Sequence, residues 1–374
     1  IPVPVFDIVL PMKKRQTMNG KRHNHKGRIP TFSSPRHSAN ALLIFLPAFI
    51  FACCSKYYPE TCGTVSAGNT GLYLKSSPDG DTGLAGMEAD VFFYNNDALG
   101  RIDSYQRLTI GQDNFLDAAS RKGHKTAAVI CNPQEAGYDW GAVSSLESLY
   151  GLYADLKKEK PGALLMCGIM ELDAADDGRF DMDVHPLCSE IRLRSIRCDF
   201  SGRSYSGSRL ENVHVYLSNI NSMAKIFHSG DDIPVSPVNT DGLYHESDRT
   251  FTCPEIVHAE IREGVGSETA YPGIRLFCYP NSSTEDSAGS PFTRLVVSGE
   301  IDGKRYYYPL NINQDGYGKA EGPCGIGRNC CYTFDIVLRQ TGVTDPTLPV
   351  SGEMVEIYGT VKAWDVKNEN EICF

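Results

Sequence analysis

The chain has 374 residues, of which 41% are hydrophobic and 22% charged, and its formal net charge at pH 7 is −10. This composition is that of an ordinary globular protein. Because an acidic surface repels the phosphate backbone, the charge argues against nucleic acid as a partner.

A secretory signal is predicted at residues 41–55, which read A-L-L-I-F-L-P-A-F-I-F-A-C-C-S. A basic segment, a short apolar core and a small residue at the cut are typical of a signal peptide, whereas a membrane span needs about 20 residues. The order Ile50, Phe51, Ala52, Cys53 resembles a bacterial lipobox, in which Cys53 becomes the lipidated first residue of the mature chain. The alternative is a secreted protein cut near Ala52, with Cys53 an ordinary cysteine.

Residues 1–52 are therefore assigned to an upstream leader and a lipoprotein signal peptide. Residues 1–10 have no signal character, and initiation at Met12 or Met18 would give a normal basic region. The segment 1–52 holds eight of the 36 Lys and Arg residues and one of the 46 Asp and Glu residues. Residues 53–374 thus carry 28 basic and 45 acidic residues, a net charge of −17, and are long enough for about two domains.

The first half of the mature chain reads as short strands with one helix. The predicted strands are 71–74, 89–94, 101–110, 125–131 and 163–171, with a hairpin turn at 95–100. A helix is predicted over 144–158, because apolar residues recur there at steps of three and four. They are Leu146, Leu149, Tyr150, Tyr153 and Leu156.

The acidic stretch 172–184 is interpreted as a solvated connector near a domain boundary. If Asp173 is placed at position 1 of an EF-hand loop, Ala175 and Val184 fall at ligand positions, so that pattern fails. A looser calcium loop between Asp173 and Asp183 is the alternative.

Beyond residue 184 the chain becomes almost wholly β. Asp302-Gly303, between two β-rich runs, predicts a tight hairpin turn. The predicted strands are 190–200, 212–217, 256–261, 275–279, 293–300, 305–310, 332–339 and 356–364. Regular strands with Gly, Pro and Asn between them predict a β-sandwich or barrel. The expected domains are 53–184 and 185–374.

The thirteen cysteines are spread through apolar runs, which favours buried thiols over a disulfide framework. Any bridge is expected among Cys324, Cys330 and Cys331. The chain has no C-x-x-C pair, and the histidines at 124, 185, 214, 228, 245 and 258 form no zinc spacing. No metal and no cofactor are therefore predicted.

Catalytic motifs fail on inspection. Residues 202–207 miss a G-x-S-x-G elbow by one position, and the glycine-rich segment 316–327 lacks a Walker lysine. Glu171 and Asp173 could be imagined as a glycosidase pair, but acids are common throughout this chain. We expect no enzyme activity and no catalytic residue.

Tyr306, Tyr307 and Tyr308 must place two rings on one face of their strand and one on the other. Core packing is the favoured interpretation, and contact with a glycan or a partner is the alternative. Trp364 is likewise expected in the core rather than at a ligand.

Several segments together resemble the Bacteroidales fimbrillin and fimbrial anchor lipoproteins. They are the lipobox, A-D-V-F-F-Y-N-N-D-A-L-G-R-I (89–102), the segment 193–222 from L-R-S-I-R-C, R-N-C-C-Y-T-F-D-I-V-L-R-Q-T-G-V-T-D-P (328–346) and E-I-Y-G-T-V-K-A-W (356–364). The resemblance implies two tandem transthyretin-like Greek-key β-sandwich domains, and a place in fimbriae on the cell outer membrane. It also implies subunits joined by strand exchange, which is a form of β-augmentation.

In that family, stalk subunits lose their lipidated N-terminus to an arginine-directed protease. No arginine lies between Cys53 and Gly100, and the first one, Arg101, is in a predicted core hairpin that a protease should not reach. This favours a retained lipid and an anchor or accessory subunit, with other fimbrial subunits and outer-membrane lipid as partners. The tail 365–374 is predicted to be a poor donor strand. A surface glycan-binding lipoprotein or adhesin, recognising host or bacterial glycans, is the alternative function.

Overall fold

The computed structural model describes residues 68–76, 83–133, 136–175, 177–227, 237–245, 251–283, 292–314 and 324–363. These residues all belong to one compact unit, Cys62–Phe374. The fold is mostly β, as predicted, with a single short α-helix among the described residues. None of the helices in these ranges is long and apolar enough to cross a membrane.

Nine strands and the helix form the first part of the described chain. They are β1 (Gly68–Lys75), β2 (Glu88–Asn95), β3 (Ile102–Thr109), β4 (Phe115–Ser120), β5 (Gly123–Cys131), α1 (Leu146–Tyr150), β6 (Tyr153–Asp155), β7 (Met166–Ala174), β8 (Gly178–Asp183) and β9 (His185–Pro186). One sheet has the order β4-β1-β8 and the other the order β3-β2-β5-β7-β9. Their facing apolar side chains form one core, and we call this pair of sheets the first sandwich.

The five-stranded sheet is covered on both faces. Val91 and Phe93 of β2 face the core of the first sandwich, whereas Phe92 and Tyr94 belong to a second apolar cluster. Neighbouring side chains of a strand point to opposite faces, so both sets are buried only if both faces are covered. This explains why β2 reads as a continuous apolar run rather than an alternating one.

Eleven strands form the rest of the described chain. They are β10 (Ser189–Cys198), β11 (Glu211–Ser218), β12 (Ile220–Asn221), β13 (Met223–Lys225), β14 (Pro237–Val238), β15 (His258–Ile261), β16 (Ile274–Cys278), β17 (Arg294–Ile301), β18 (Lys304–Asn311), β19 (Cys330–Leu338) and β20 (Val355–Ala363). Two four-stranded sheets, β16-β10-β19-β20 and β15-β11-β17-β18, enclose the second apolar cluster and make the second sandwich. The predicted turn between β17 and β18 is confirmed, since Asp302 and Gly303 both have positive φ (51° and 77°).

The same apolar cluster continues from the second sandwich to the outer face of the five-stranded sheet. β6 also pairs antiparallel with β13, which links the two parts through backbone hydrogen bonds. The predicted boundary after residue 184 stays a prediction, and β9, directly after it, pairs with β7.

The predicted helix over 144–158 is wrong for most of its length. α1 begins after Ser145, whose hydroxyl accepts a hydrogen bond from the Ser148 N–H (3.1 Å), and it ends at Gly151. The backbone of β6 is then used to pair with β13, which a helix would prevent. Tyr150 and Tyr153 are accordingly exposed at 44% and 37%, so the apolar spacing does not mark one buried helical face.

The acidic stretch 172–184 is not a connector, contrary to the prediction. β7 continues to Ala174, and β8 pairs in parallel with β1 along its whole length. Phe180 packs against the core of the first sandwich and Met182 is buried in it, while Asp181 and Asp183 are exposed. This alternation is the period of a strand with one wet face.

All nine described cysteines are free, including Cys324, Cys330 and Cys331. Four of them are buried, as expected of core thiols, and the other five are half-buried. The buried ones are Cys131, Cys188, Cys198 and Cys278. Burial raises the pKa of Cys131 to about 12, which keeps it an unreactive thiol.

Candidate functional site

Cys53, the predicted lipidation site, lies outside the described residues, as does Trp364. Two features of the first sandwich bear on subunit assembly, namely the position of β1 in its sheet and the accessibility of Arg101.

β1 is the middle strand of its three-stranded sheet. Leu72 lies opposite Leu116 of β4 in an antiparallel pair and opposite Phe180 of β8 in a parallel pair. Leu72 and Leu74 are 0% and 1% exposed and belong to the core of the first sandwich. Removing β1 would leave an apolar groove bordered by unpaired backbone groups of β4 and β8. Such a groove can accept an extended strand that carries apolar side chains at alternate positions.

Arg101 is more accessible than the sequence suggested. It directly precedes β3, and its side chain is 69% exposed, 3.7 Å from Asp97. The expectation that a protease could not reach it is therefore wrong for the side chain. Its backbone is held, however, since the Arg101 carbonyl accepts from the Asn95 N–H (2.9 Å) and Arg101 forms a bridge with Ser145. Cleavage here would separate β2 from β3 instead of releasing a leading strand alone.

The three tyrosines of β18 divide as predicted between its two faces. Tyr308 is fully buried, and its hydroxyl donates to the Gln340 carbonyl (2.9 Å). Tyr306 packs against the same core, whereas Tyr307 lines a surface cavity of about 520 Å³ together with Tyr244. Tyr308 thus has no surface to offer a ligand. A contact of Tyr306 or Tyr307 with a glycan or partner stays a prediction.

A buried carboxyl joins the two sandwiches. Glu159 is 1% exposed, and its two oxygens accept from the Tyr279 hydroxyl (2.7 Å) and the Leu165 N–H (2.9 Å). Burial raises the pKa of Glu159 to about 7, although both hydrogen bonds act in the opposite direction. Burial also places the pKa of Tyr279 well above its ordinary value. The junction therefore contains a group that changes charge near neutral pH.

No protein-family model and no curated protein sequence matches this chain. Solved structures do match it. A candidate cell adhesion protein from Bacteroides eggerthii shares 15% identity with a TM-score of 0.61, over 80% of this chain and 96% of that one. A fimbrilin from Porphyromonas gingivalis shares 14% identity with a TM-score of 0.57, over 80% of this chain and 98% of that one. A candidate cell adhesion protein from Parabacteroides distasonis shares 13% with a TM-score of 0.56, over 79% and 97%.

The chain has the fold of these fimbrial and adhesion proteins. They are the family that the sequence resembles, and the match spans nearly the whole of each neighbour. The similarity therefore concerns the fimbrillin fold as a whole and not a single sheet.

On this fimbrillin fold, the segments that were candidates for a catalytic site lie at the surface. Residues 202–207 form turns between β10 and β11. Glu171 and Asp173 of β7 are 66% and 86% exposed, and His124 lies between them, 3.4 Å from Glu171 and 3.0 Å from Asp173. Asp181 pairs instead with Lys75 (2.7 Å). Within the described residues, the acids between Asp173 and Asp183 form no group of three metal ligands.

One group of side chains was missed from the sequence. His214, His258 and Glu260 lie together on the second sandwich, although no short spacing links the two histidines. The available signal was the alternation H-x-Y in β11 and H-x-E in β15, which places every second residue of a strand on one face.

Proposed function

We propose that this chain is a non-enzymatic fimbrial subunit of the bacterial cell surface. The observation that carries the proposal is the similarity in fold to a fimbrilin over 98% of that chain. In this proposal the two sandwiches are tandem transthyretin-like Greek-key domains, and a lipid on Cys53 holds the protein in the outer membrane.

We further propose that the chain is an anchor or accessory subunit that keeps its leading strand. β1 is buried and paired on both edges, and no arginine lies between Cys53 and Gly100. A protein that keeps β1 has its own groove filled, so in strand complementation it would supply a strand to the groove of a neighbouring subunit. The lipid and the retained strand would together place it at the membrane end.

The absence of catalysis is part of the proposal. It is supported by the kind of proteins that share the fold, which are adhesion and fimbrial proteins. The exposed positions of Glu171 and Asp173 also support it, because a glycosidase places its two carboxyl groups on either side of a sugar held in a cleft, and these two side chains lie on a solvated strand face.

A glycan-binding adhesin is the second candidate. It is favoured by the cavity of about 520 Å³ that Tyr244 and Tyr307 line, since aromatic rings offer apolar faces to sugars. A Tyr307→Ala variant should then lose binding on a glycan array while Tyr150→Ala, which changes an exposed tyrosine of α1, keeps it. Equal binding by both variants would remove this candidate.

The membrane attachment is tested with a pair of neighbouring cysteine variants in the native bacterium. Cys53→Ala should release the protein from the outer-membrane fraction, and Cys54→Ala should leave it there. Fimbriae should also be shed into the medium by cells that carry only Cys53→Ala, because they would lack an anchor. If Cys53→Ala still fractionates wholly with the outer membrane, the lipid anchor is refuted.

A further inference from the structure

The outer face of the sheet β15-β11-β17-β18 carries an unusual group of polar rings. His214 of β11 lies directly opposite Glu260 of β15, and Tyr216 lies opposite His258. Val213 and Val215, which alternate with them, are buried in the core of the second sandwich. The two histidines and the glutamate therefore share the face that points away from that core.

The atoms of this group are close enough to bind one metal ion. His214 Nδ1 lies 3.1 Å from His258 Nε2 and 3.8 Å from Glu260 Oε1, and one ligand atom from each residue fits within 4.8 Å. With Zn–N distances of about 2.0–2.1 Å, neighbouring ligand atoms of a tetrahedral zinc site are about 3.3 Å apart. Small side-chain rotations would therefore bring all three atoms to bonding distance. Among the described residues, this is the one group of three such side chains.

The rings are also held in place. The Tyr244 ring stacks on His258 with a centroid distance of 3.9 Å and an angle of 2° between the planes. The segment that carries Tyr244 is fixed to β11, since the Tyr216 hydroxyl donates to the Gly242 carbonyl (2.9 Å). A ligand whose orientation is fixed by its surroundings binds a metal more tightly than a free one.

The chemistry of the three ligands selects the class of metal. Two neutral imidazoles and one carboxylate carry a charge of −1, which suits a divalent cation. Imidazole nitrogen favours zinc, copper or nickel, whereas calcium and magnesium prefer oxygen ligands. The Glu260 side chain is 53% exposed, so water can reach the fourth position of a tetrahedral ion.

We propose that His214, His258 and Glu260 form a surface site for a divalent transition metal of the zinc class. The ion would bridge β11 and β15 and fix the ring of His258 beneath Tyr244. This site does not depend on the fimbrial function proposed above.

The test is zinc titration of the purified, chelator-treated full chain by calorimetry, with calcium and magnesium as comparisons. Glu260→Gln removes an exposed ligand without touching the core, and His258→Ala removes a ring. His124→Ala is the matched control, because His124 is also a strand histidine close to carboxylates, Glu171 and Asp173, but has no second histidine beside it.

We expect the wild type to bind one more equivalent of zinc than either site variant, or to bind it more than about tenfold more tightly. His124→Ala should bind like the wild type, and calcium and magnesium should not compete. Circular dichroism of each variant shows whether it is folded, and Glu260→Gln decides the outcome if His258→Ala is not. Unchanged zinc binding by Glu260→Gln, or equal loss in His124→Ala, would overturn the proposal.

Discussion

Replacing Glu159 with glutamine should make the stability of this protein less dependent on pH. The carboxyl lies at the junction of the two sandwiches and has a pKa of about 7 in the folded chain, against an ordinary value of 4.5. Glutamine has the same shape. Its oxygen can accept from the Leu165 N–H, and its amide can donate to the Tyr279 hydroxyl, which is able to accept.

The direction follows from which state binds the proton more tightly. The folded chain does, because burial penalises the charged carboxylate. The stability that protonated Glu159 contributes is therefore fully present below about pH 4.5 and is lost as the pH rises through about 7. Between pH 5 and pH 8 the loss from this one group is about 2.5 kcal/mol.

Urea unfolding of the wild type and of Glu159→Gln at pH 5 and pH 8 measures this loss. The difference in unfolding free energy between the two proteins should change by about 2.5 kcal/mol between the two pH values. Glu147→Gln, which changes an exposed glutamate of α1, controls for charge alone and should follow the wild type. If Glu159→Gln and the wild type lose the same stability between pH 5 and pH 8, the pKa of the buried carboxyl is not raised by burial.

Three further predictions are checked by urea unfolding at one pH. Leu72→Ala in the middle of β1 should lower the free energy of unfolding by about 2–5 kcal/mol, because it leaves a cavity in the core. Leu99→Ala, at a site 66% exposed, should change it by no more than about 0.5 kcal/mol. Similar losses in the two variants would contradict the buried position of β1. Asp90→Ala should lower the free energy of unfolding by about 3–5 kcal/mol, because buried Asp90 accepts two hydrogen bonds of 2.7 Å from Arg107. A loss below about 1 kcal/mol would refute this pairing. Gly303→Ala should lower the free energy of unfolding by about 1–2 kcal/mol, because alanine is strained at a φ of +77°. No atom lies within reach of the added methyl group, so crowding adds nothing to this loss. An unchanged urea midpoint would argue against the tight turn.

Strands with strong side-chain patterns could be predicted from the sequence. β2, β5, β10, β17 and β19 all lie within a few residues of their predicted positions, because apolar β-branched and aromatic runs end at Gly, Pro or Asn. β4 and β8 were missed for the opposite reason. In both strands inward-facing residues alternate with outward-facing ones that include Asp and Arg. Their average composition is therefore that of a loop, although the alternation of burial has the period of a strand.

The helix shows where local pattern fails. Its apolar residues recur at steps of three and four, as in a helix. The backbone of residues 153–155 instead forms hydrogen bonds with β13, whose residues 223–225 lie too far along the chain for a local pattern to include them. The group of His214, His258 and Glu260 was hidden for the same reason. The two histidines are 44 residues apart in sequence and meet only because β11 pairs with β15.

Isolation of the tagged protein from native outer membranes in mild detergent tests the central claim most directly. Mass spectrometry of the preparation identifies the partners and gives the mass of the N-terminal peptide. We expect fimbrial subunits to co-purify and the chain to begin at an acylated Cys53 with β1 retained. A preparation without any fimbrial subunit would contradict the proposed function, and a chain trimmed beyond β1 would contradict the anchor role.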